Sequence, residues 1–132
     1  NTGLECISWL KEVQDRGAGE IILTSVDYEG TGKGVNRDLL NTIDDVVEVP
    51  LVYHGGIGDN SHVFDALNND NIDAVCVASL LHYDAVFKVD HNINFSGNKT
   101  FIESGLSKKN INSSTVPDTK RYLNSKGVYT RC

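Results

Sequence analysis

The chain has 132 residues, 39% of them apolar and 23% charged, enough to build one compact core and keep it hydrated. Its formal charge of −6 offers no positive field to gather a nucleic-acid backbone or an anionic lipid surface, so neither nucleic acid nor a membrane is expected as a partner. No apolar run approaches the roughly 18 to 20 residues a membrane span requires, and no basic stretch followed by an apolar segment opens the chain.

Three cysteines, Cys6, Cys76 and Cys132, stand far apart in no metal or redox spacing, which fits a reducing, cytoplasmic setting. The sequence contains no methionine, so Asn1 is not expected to be an unprocessed translation start, and further sequence upstream is expected.

Over residues 4–16 the apolar side chains Leu4, Ile7, Leu10 and Val13 recur every three residues, predicting an amphipathic helix with Thr2 as N-cap and Gly17 as stop. Trp9 on this helix reads as a packing anchor. Residues 20–26 follow as an apolar, β-branched run of the kind buried on both faces of a parallel sheet. A glycine-rich loop over residues 27–36 leads into a helix predicted over 37–47, with Leu39, Leu40, Ile43 and Val47 on its apolar face.

Pro50 ends that segment before a second strand, Leu51-Val52-Tyr53-His54. Gly55-Gly56-Ile57-Gly58 then turns the chain, and Asp59 or Ser61 can cap a short helix holding Val63, Phe64 and Leu67. A third strand is predicted over 72–79, and Leu80 to Asp84 can begin a short extra helix. Residues 91–116 are rich in Asn, Ser, Gly and Lys and read as a polar insertion. Pro117 then suits the first turn of a closing helix over 117–127.

Strands separated by helices imply right-handed crossovers, hence an α/β chain of parallel βα repeats. In such folds chemistry gathers at the carboxyl ends of the strands. Glu29-Gly30-Thr31-Gly32-Lys33-Gly34 lies at one such end but lacks the Ser or Thr that a nucleotide-binding loop places after its lysine, so it reads as a flexible loop. Gly55-Gly56 lies at the next, where a backbone can approach an anion with no Cβ in the way, or simply make a tight turn. Ala78-Ser79 follows the third strand. Asp27 and Glu29 are candidate acid–base groups, with a solvated loop as the plainer reading. His54, His62, His82 and His91 have no metal spacing; His54 alone stands beside the glycine pair, and the others read as surface or packing residues.

The segments Trp9-Leu10-Lys11-Glu12-Val13, Gly17-Ala18-Gly19-Glu20-Ile21-Ile22-Leu23-Thr24-Ser25-Val26-Asp27, Glu29-Gly30-Thr31, Gly55-Gly56 and Val77-Ala78-Ser79 resemble the cyclase subunit of imidazole glycerol phosphate synthase. The resemblance covers residues 1 to about 90 and resumes at Lys120-Arg121-Tyr122-Leu123, matching the C-terminal half of that family. It implies a partial (βα)8 barrel whose strands correspond to six, seven and eight, in histidine biosynthesis. It also implies a phosphorylated ribosyl substrate, ammonia from a glutaminase partner, and no cofactor.

By the same resemblance Gly55, Gly56, Ala78 and Ser79 hold one substrate phosphate, with Thr24 and Ser25 near it. Glu29 takes the place of a family active-site aspartate and His54 that of a serine. The family's two principal catalytic aspartates belong to strands one and five, so these 132 residues alone are expected to bind ligand without turning it over. Two further readings remain: an enzyme whose other half lies upstream or on another chain, and a cyclase-like paralogue that docks a glutaminase and passes ammonia to an amidotransferase in surface-sugar synthesis. A barrel typically takes about 250 residues, so open sheet edges are expected here, closed by self-association into a homo-oligomer.

Overall fold

The computed structural model describes residues 2–88 and 110–131. In chain order they form α1 (Cys6–Asp15), β1 (Ile21–Thr24), α2 (Arg37–Ile43), β2 (Leu51–His54), α3 (Asn60–Leu67), β3 (Ala74–Cys76), α4 (Ser79–Lys88) and α5 (Val116–Ser125). The strands make one parallel sheet in the order β1-β2-β3. Ile21 pairs with Leu51 and Thr24 with His54, while Val52 pairs with Ala74 and His54 with Cys76. The alternating α/β chain and its parallel sheet are therefore as the sequence predicts.

The N-cap of α1 is Glu5, not Thr2. Its carboxylate accepts from the Ile7 and Ser8 amides at 3.0 and 2.8 Å, occupying donors that a helix start leaves unpaired. These two bonds, led by that of Ile7, hold the Glu5 pKa below its ordinary value. Ile7, Leu10 and Val13 turn inward, but Trp9 is 46% exposed and, among the described residues, does not pack on the core.

The core lies on one side of the sheet. Ile21, Leu23, Leu51 and Tyr53 face it from the strands, and Leu10, Leu40, Ile43, Val63, Ala66 and Leu123 meet them from the helices. Strand alternation sends Ile22, Val52 and Ala74 to the opposite side. Central Val52 is buried there, but Ile22 is 62% exposed. Strand β1 is thus buried on one face, not on both, because among the described residues the helices cover only one side of the sheet.

Helix α2 stops at Ile43, short of the predicted residue 47. The β-branched Val46, Val47 and Val49 propagate a helix poorly, and Gln14 competes for this backbone. Its side-chain amide donates to the Val46 carbonyl at 3.1 Å while its oxygen accepts from the Glu48 amide at 2.7 Å. Strand β3 is shorter than predicted because Ala78 already serves α4, its carbonyl accepting from Leu81 and His82 at 3.1 and 2.9 Å.

Asp59 caps α3 by accepting from the Ser61 and His62 amides at 2.8 and 3.0 Å. Helix α5 is capped by Thr115, carries Pro117 in its first turn and ends at Gly127, whose φ of +86° suits glycine. It packs on α3 through Thr119, whose hydroxyl donates to Asn60 Oδ1 at 2.8 Å. Most of the predicted polar insertion, residues 89–109 with His91 among them, lies outside the described residues, as does Cys132.

Two stability outcomes follow from this packing. The fully buried Tyr53 hydroxyl accepts from the Asn36 amide at 2.9 Å. Tyr53→Phe should therefore cost about 1–3 kcal/mol in urea unfolding by stranding that donor. Partial burial works against a charged Asp59, but hydrogen bonds from the Ser61 hydroxyl and the His62 and Ser61 amides, aided by the His62 ring, outweigh it and lower its pKa. A lowered folded pKa contributes stability that is present above the unfolded value and is lost as pH falls through the folded one. Asn at 59 still caps but does not titrate, so Asp59→Asn should show a flatter loss of stability than the wild type below about pH 4 in acid titrations followed by circular dichroism.

Candidate functional site

Parallel pairing brings the carboxyl ends of all three strands to one edge, ending in the register row Thr24, His54 and Cys76. Thr24 Oγ1 and His54 Nδ1 lie 3.2 Å apart. A hydroxyl donates or accepts, so this contact survives either imidazole tautomer. Cys76 is a free, half-buried thiol in the same row.

Beyond the row, the pairing of β1 with β2 continues for one more bond, Ser25 N–H to the His54 carbonyl at 2.8 Å. The next residue of β2's chain, Gly55, has φ +107°, and a Cβ there would stand 2.7 Å from the Ser25 carbonyl oxygen. Gly56, at φ +83°, is held similarly: a Cβ would run into the Gly34 carbonyl oxygen and crowd Tyr28. Gly34 N–H in turn donates to the Gly56 carbonyl at 2.8 Å. Both glycines are buried, so their place beside the neighbouring loop depends on having no side chain.

Ser25 is only 2% exposed, and its hydroxyl accepts from the Asn36 side-chain amide at 3.1 Å. Asn36 Oδ1 meanwhile accepts from the Leu39 amide at 3.1 Å, capping α2, and its own N–H donates to Tyr53. Asn36 thus joins the loop after β1, the start of α2 and the core of β2. The Ser25 carbonyl accepts from both Tyr28 and Glu29 amides at 3.0 Å, forming the turn that carries Glu29. The Glu29 side chain is exposed, and among the described residues its carboxylate makes no hydrogen bond.

On the other flank, α4 begins at Ser79 immediately after β3, so its N-terminal end, with the partial positive charge of a helix start, comes to the same edge as Gly55-Gly56. Ser79 is half-exposed and Ala78 exposed. The extra helix expected after the third strand is therefore present. His62 proves to be more than a surface residue: its Nδ1 accepts from the Gly58 amide at 3.1 Å, and its ring edge would lie 3.1 Å from a Cβ at Gly34. Among the described residues, no three His, Cys, Asp or Glu side chains converge as a metal site would need.

Of the residues singled out in the sequence, the structure brings Thr24, Ser25, His54, Gly55 and Gly56 into one contact network and sets Ala78-Ser79 just past the adjacent strand, at the start of α4. Glu29 stays apart, on the turn above Ser25. Sequence reasoning missed Asn36, Gly34 and His62. Asn36 carried a readable signal as an N-cap residue before Leu39-Leu40, whereas the partners of Gly34 and His62 depend on how two loops meet.

The family model described as histidine biosynthesis protein matches residues 1–87. The chain belongs to this family. Members are (βα)8 barrels, in keeping with the parallel βα repeats seen here. The chain is similar to imidazole glycerol phosphate synthase subunit HisF of Trichormus variabilis, with 46% identity over 83 residues, covering 63% of this chain and 32% of that protein. The subunit of the same name from Nostoc sp. is 47% identical over 83 residues, at the same coverage of 63% and 32%. That of Methanothermobacter thermautotrophicus is 32% identical over 130 residues, 98% of this chain and 37% of that protein. The chain spans about a third of the length of the curated relatives it matches. Among the described residues, no helix is long and apolar enough to cross a membrane.

The glycine pair supplies a direct check on the site's construction. Gly55→Ala should cost about 1–3 kcal/mol in urea unfolding, since it adds a strained backbone conformation and a contact with the Ser25 carbonyl. Gly19→Ala, with no positive φ and nothing near its Cβ position, should leave stability within about 1 kcal/mol of the wild type.

Proposed function

We propose that the chain is the phosphate-binding part of an imidazole glycerol phosphate synthase cyclase barrel, its strands taking the places of six, seven and eight. The observation that carries this reading is that the buried Gly55-Gly56 turn and the N-terminal end of α4 follow neighbouring strands at the same carboxyl edge of a parallel sheet. Backbone N–H groups at a helix start and glycines that admit a close approach are what an anion requires. The names of the relatives, synthases of a glycerol phosphate, support a phosphorylated ligand, and its ribosyl part is what the resemblance implies.

In this reading Gly55, Gly56, Ala78 and Ser79 hold a phosphate through backbone N–H groups and the Ser79 hydroxyl. Thr24 orients the His54 ring toward the ligand, and Ser25 braces the glycine turn from beneath. Glu29 serves as an acid–base group, and the 132 residues alone bind ligand without converting it, since by resemblance the principal catalytic aspartates belong to other strands. A glutaminase is the partner the resemblance implies, and the naming of the relatives as subunits supports an assembly.

The test is an NMR titration of the 132-residue chain with inorganic phosphate, a phosphorylated riboside and the same riboside without its phosphate. The two phosphorylated probes should shift the amides of Gly55, Gly56 and Ser79, and the unphosphorylated one should not. Ser79→Asp should weaken the response by about tenfold or more, by setting a like charge against the anion. Equal responses to all three probes, or none, would refute a phosphate site.

A second reading concerns assembly. Ile22 is 62% exposed on the side of the sheet that, among the described residues, the helices leave bare, and Val26, in the turn after β1, is 75% exposed. In a complete barrel that side faces inward, and for the 132-residue chain in solution we propose that a second copy covers it. Light scattering should then give a mass of at least twice 14.4 kDa, and Ile22→Lys should return it to the monomer value.

A further inference from the structure

The polar segment that leads into α5 does more than connect. We infer that residues 110–114 form a strap that positions the glycine pair and the Glu29 turn, with Asn110 as the positioning residue. This inference rests on the phosphate-site reading for its functional meaning, but its structural part stands on separate observations.

The strap bonds to each of the three segments that follow the strands, two loops and the first turn of α4. Asn110 Nδ2 donates to the Thr31 carbonyl at 3.0 Å, in the loop after β1. Asn112 N–H donates to the Gly58 carbonyl at 2.8 Å, in the loop after β2, and Ser114 N–H to the Leu80 carbonyl at 3.0 Å, in the first turn of α4. Beneath it, the Ser114 hydroxyl accepts from Asn60 Nδ2 at 3.1 Å, which fastens the strap to the start of α3.

The loops are shaped to receive it. Gly32, at φ +64°, and Gly58 are both buried, and a Cβ on either would run into the Asn110 carbonyl oxygen. Three backbone segments from distant parts of the chain therefore meet at a point where no side chain fits. Neighbouring Gly30, at φ +72°, has nothing within 4 Å of its Cβ position. Two glycines of one loop thus share the same backbone requirement, but only Gly32 carries the strap.

The path from the strap to the site is short. Thr31 closes the Glu29 turn, its N–H and hydroxyl both directed at the Tyr28 carbonyl, at 3.0 and 2.7 Å. Two residues past Gly32, Gly34 N–H holds the Gly56 carbonyl. A shift of Asn110 therefore reaches Glu29 through Thr31 and Gly56 through Gly34. Peptide groups that bind an anion gain from being fixed before it arrives.

The experiment compares the full chain with Asn110→Ala, Gly32→Ala and Gly30→Ala by amide spectra and phosphate titration. Asn110→Ala removes one exposed hydrogen bond and keeps the fold, so it remains informative even where Gly32→Ala fails to fold. It should shift the Gly56 and Glu29 amides without ligand and weaken inorganic phosphate by roughly threefold, the effect of one modest hydrogen bond. Gly32→Ala should weaken phosphate by about tenfold more than Gly30→Ala, which shares its backbone strain but not its contact. Asn110→Gln, which retains the donor, should recover part of the loss. Unmoved Gly56 and Glu29 amides in Asn110→Ala, or equal phosphate affinity in Gly32→Ala and Gly30→Ala, would overturn the strap's role. Absence of phosphate binding by the wild type would instead overturn the phosphate-site reading, and the ligand-free amide shifts would still decide whether the strap positions the loops.

Discussion

Much of this structure depends on one close approach, between the carbonyl oxygen of Ser25 and the backbone of Gly55. The Ser25 carbonyl is where the Glu29 turn is hung, through the Tyr28 and Glu29 amides. Its N–H extends the β1–β2 pairing, and its hydroxyl meets Asn36, which reaches the core through Tyr53 and starts α2. Nearly every backbone and side-chain group of one buried serine is therefore committed. Gly55 allows this because it adds nothing to the space the oxygen occupies. The loop after β2 inherits a fixed path, and the glycine pair is rigid for a reason that lies in the loop before it.

The order of elements was legible because it follows from local patterns: apolar β-branched runs at Ile21 and Leu51, helical spacing at Leu10 and Val13, Pro117 and Gly127 at the ends of a helix. Which faces were buried was less so. Ile22 looks like a core residue in sequence, and its exposure is a property of what stands on the bare side of the sheet, which no window of sequence contains. Helix α2 ended early for a similar reason, since Gln14, more than thirty residues away, claims the backbone at Val46 and Glu48. The exchange of Thr2 for Glu5 as N-cap was a choice between two capable acceptors a turn apart.

The candidate site divides along the same line. Gly55-Gly56 and Ala78-Ser79 were visible as positions because small residues after strands mark places where backbone must come close. What comes close was not visible. Gly34, His62 and Asn110 enter through contacts between loops, and Asn110 lies 79 residues from the carbonyl it holds. Glycine is a sequence signal of proximity without an address, and the strap supplies the address for Gly32 and Gly58.

Trp9 carries a practical consequence. It is the one tryptophan of the chain, and it sits on the outer side of α1 with nearly half its surface open, outside the network at the strand ends. Indole emission follows the polarity of its own surroundings, so the native chain should already fluoresce toward the red, like a solvated ring. Unfolding will change that signal little, and a phosphate arriving beside Gly56 less still. The intrinsic fluorescence of this protein is instead a reporter for the outer face of α1, and a blue shift would announce a molecule that settles there.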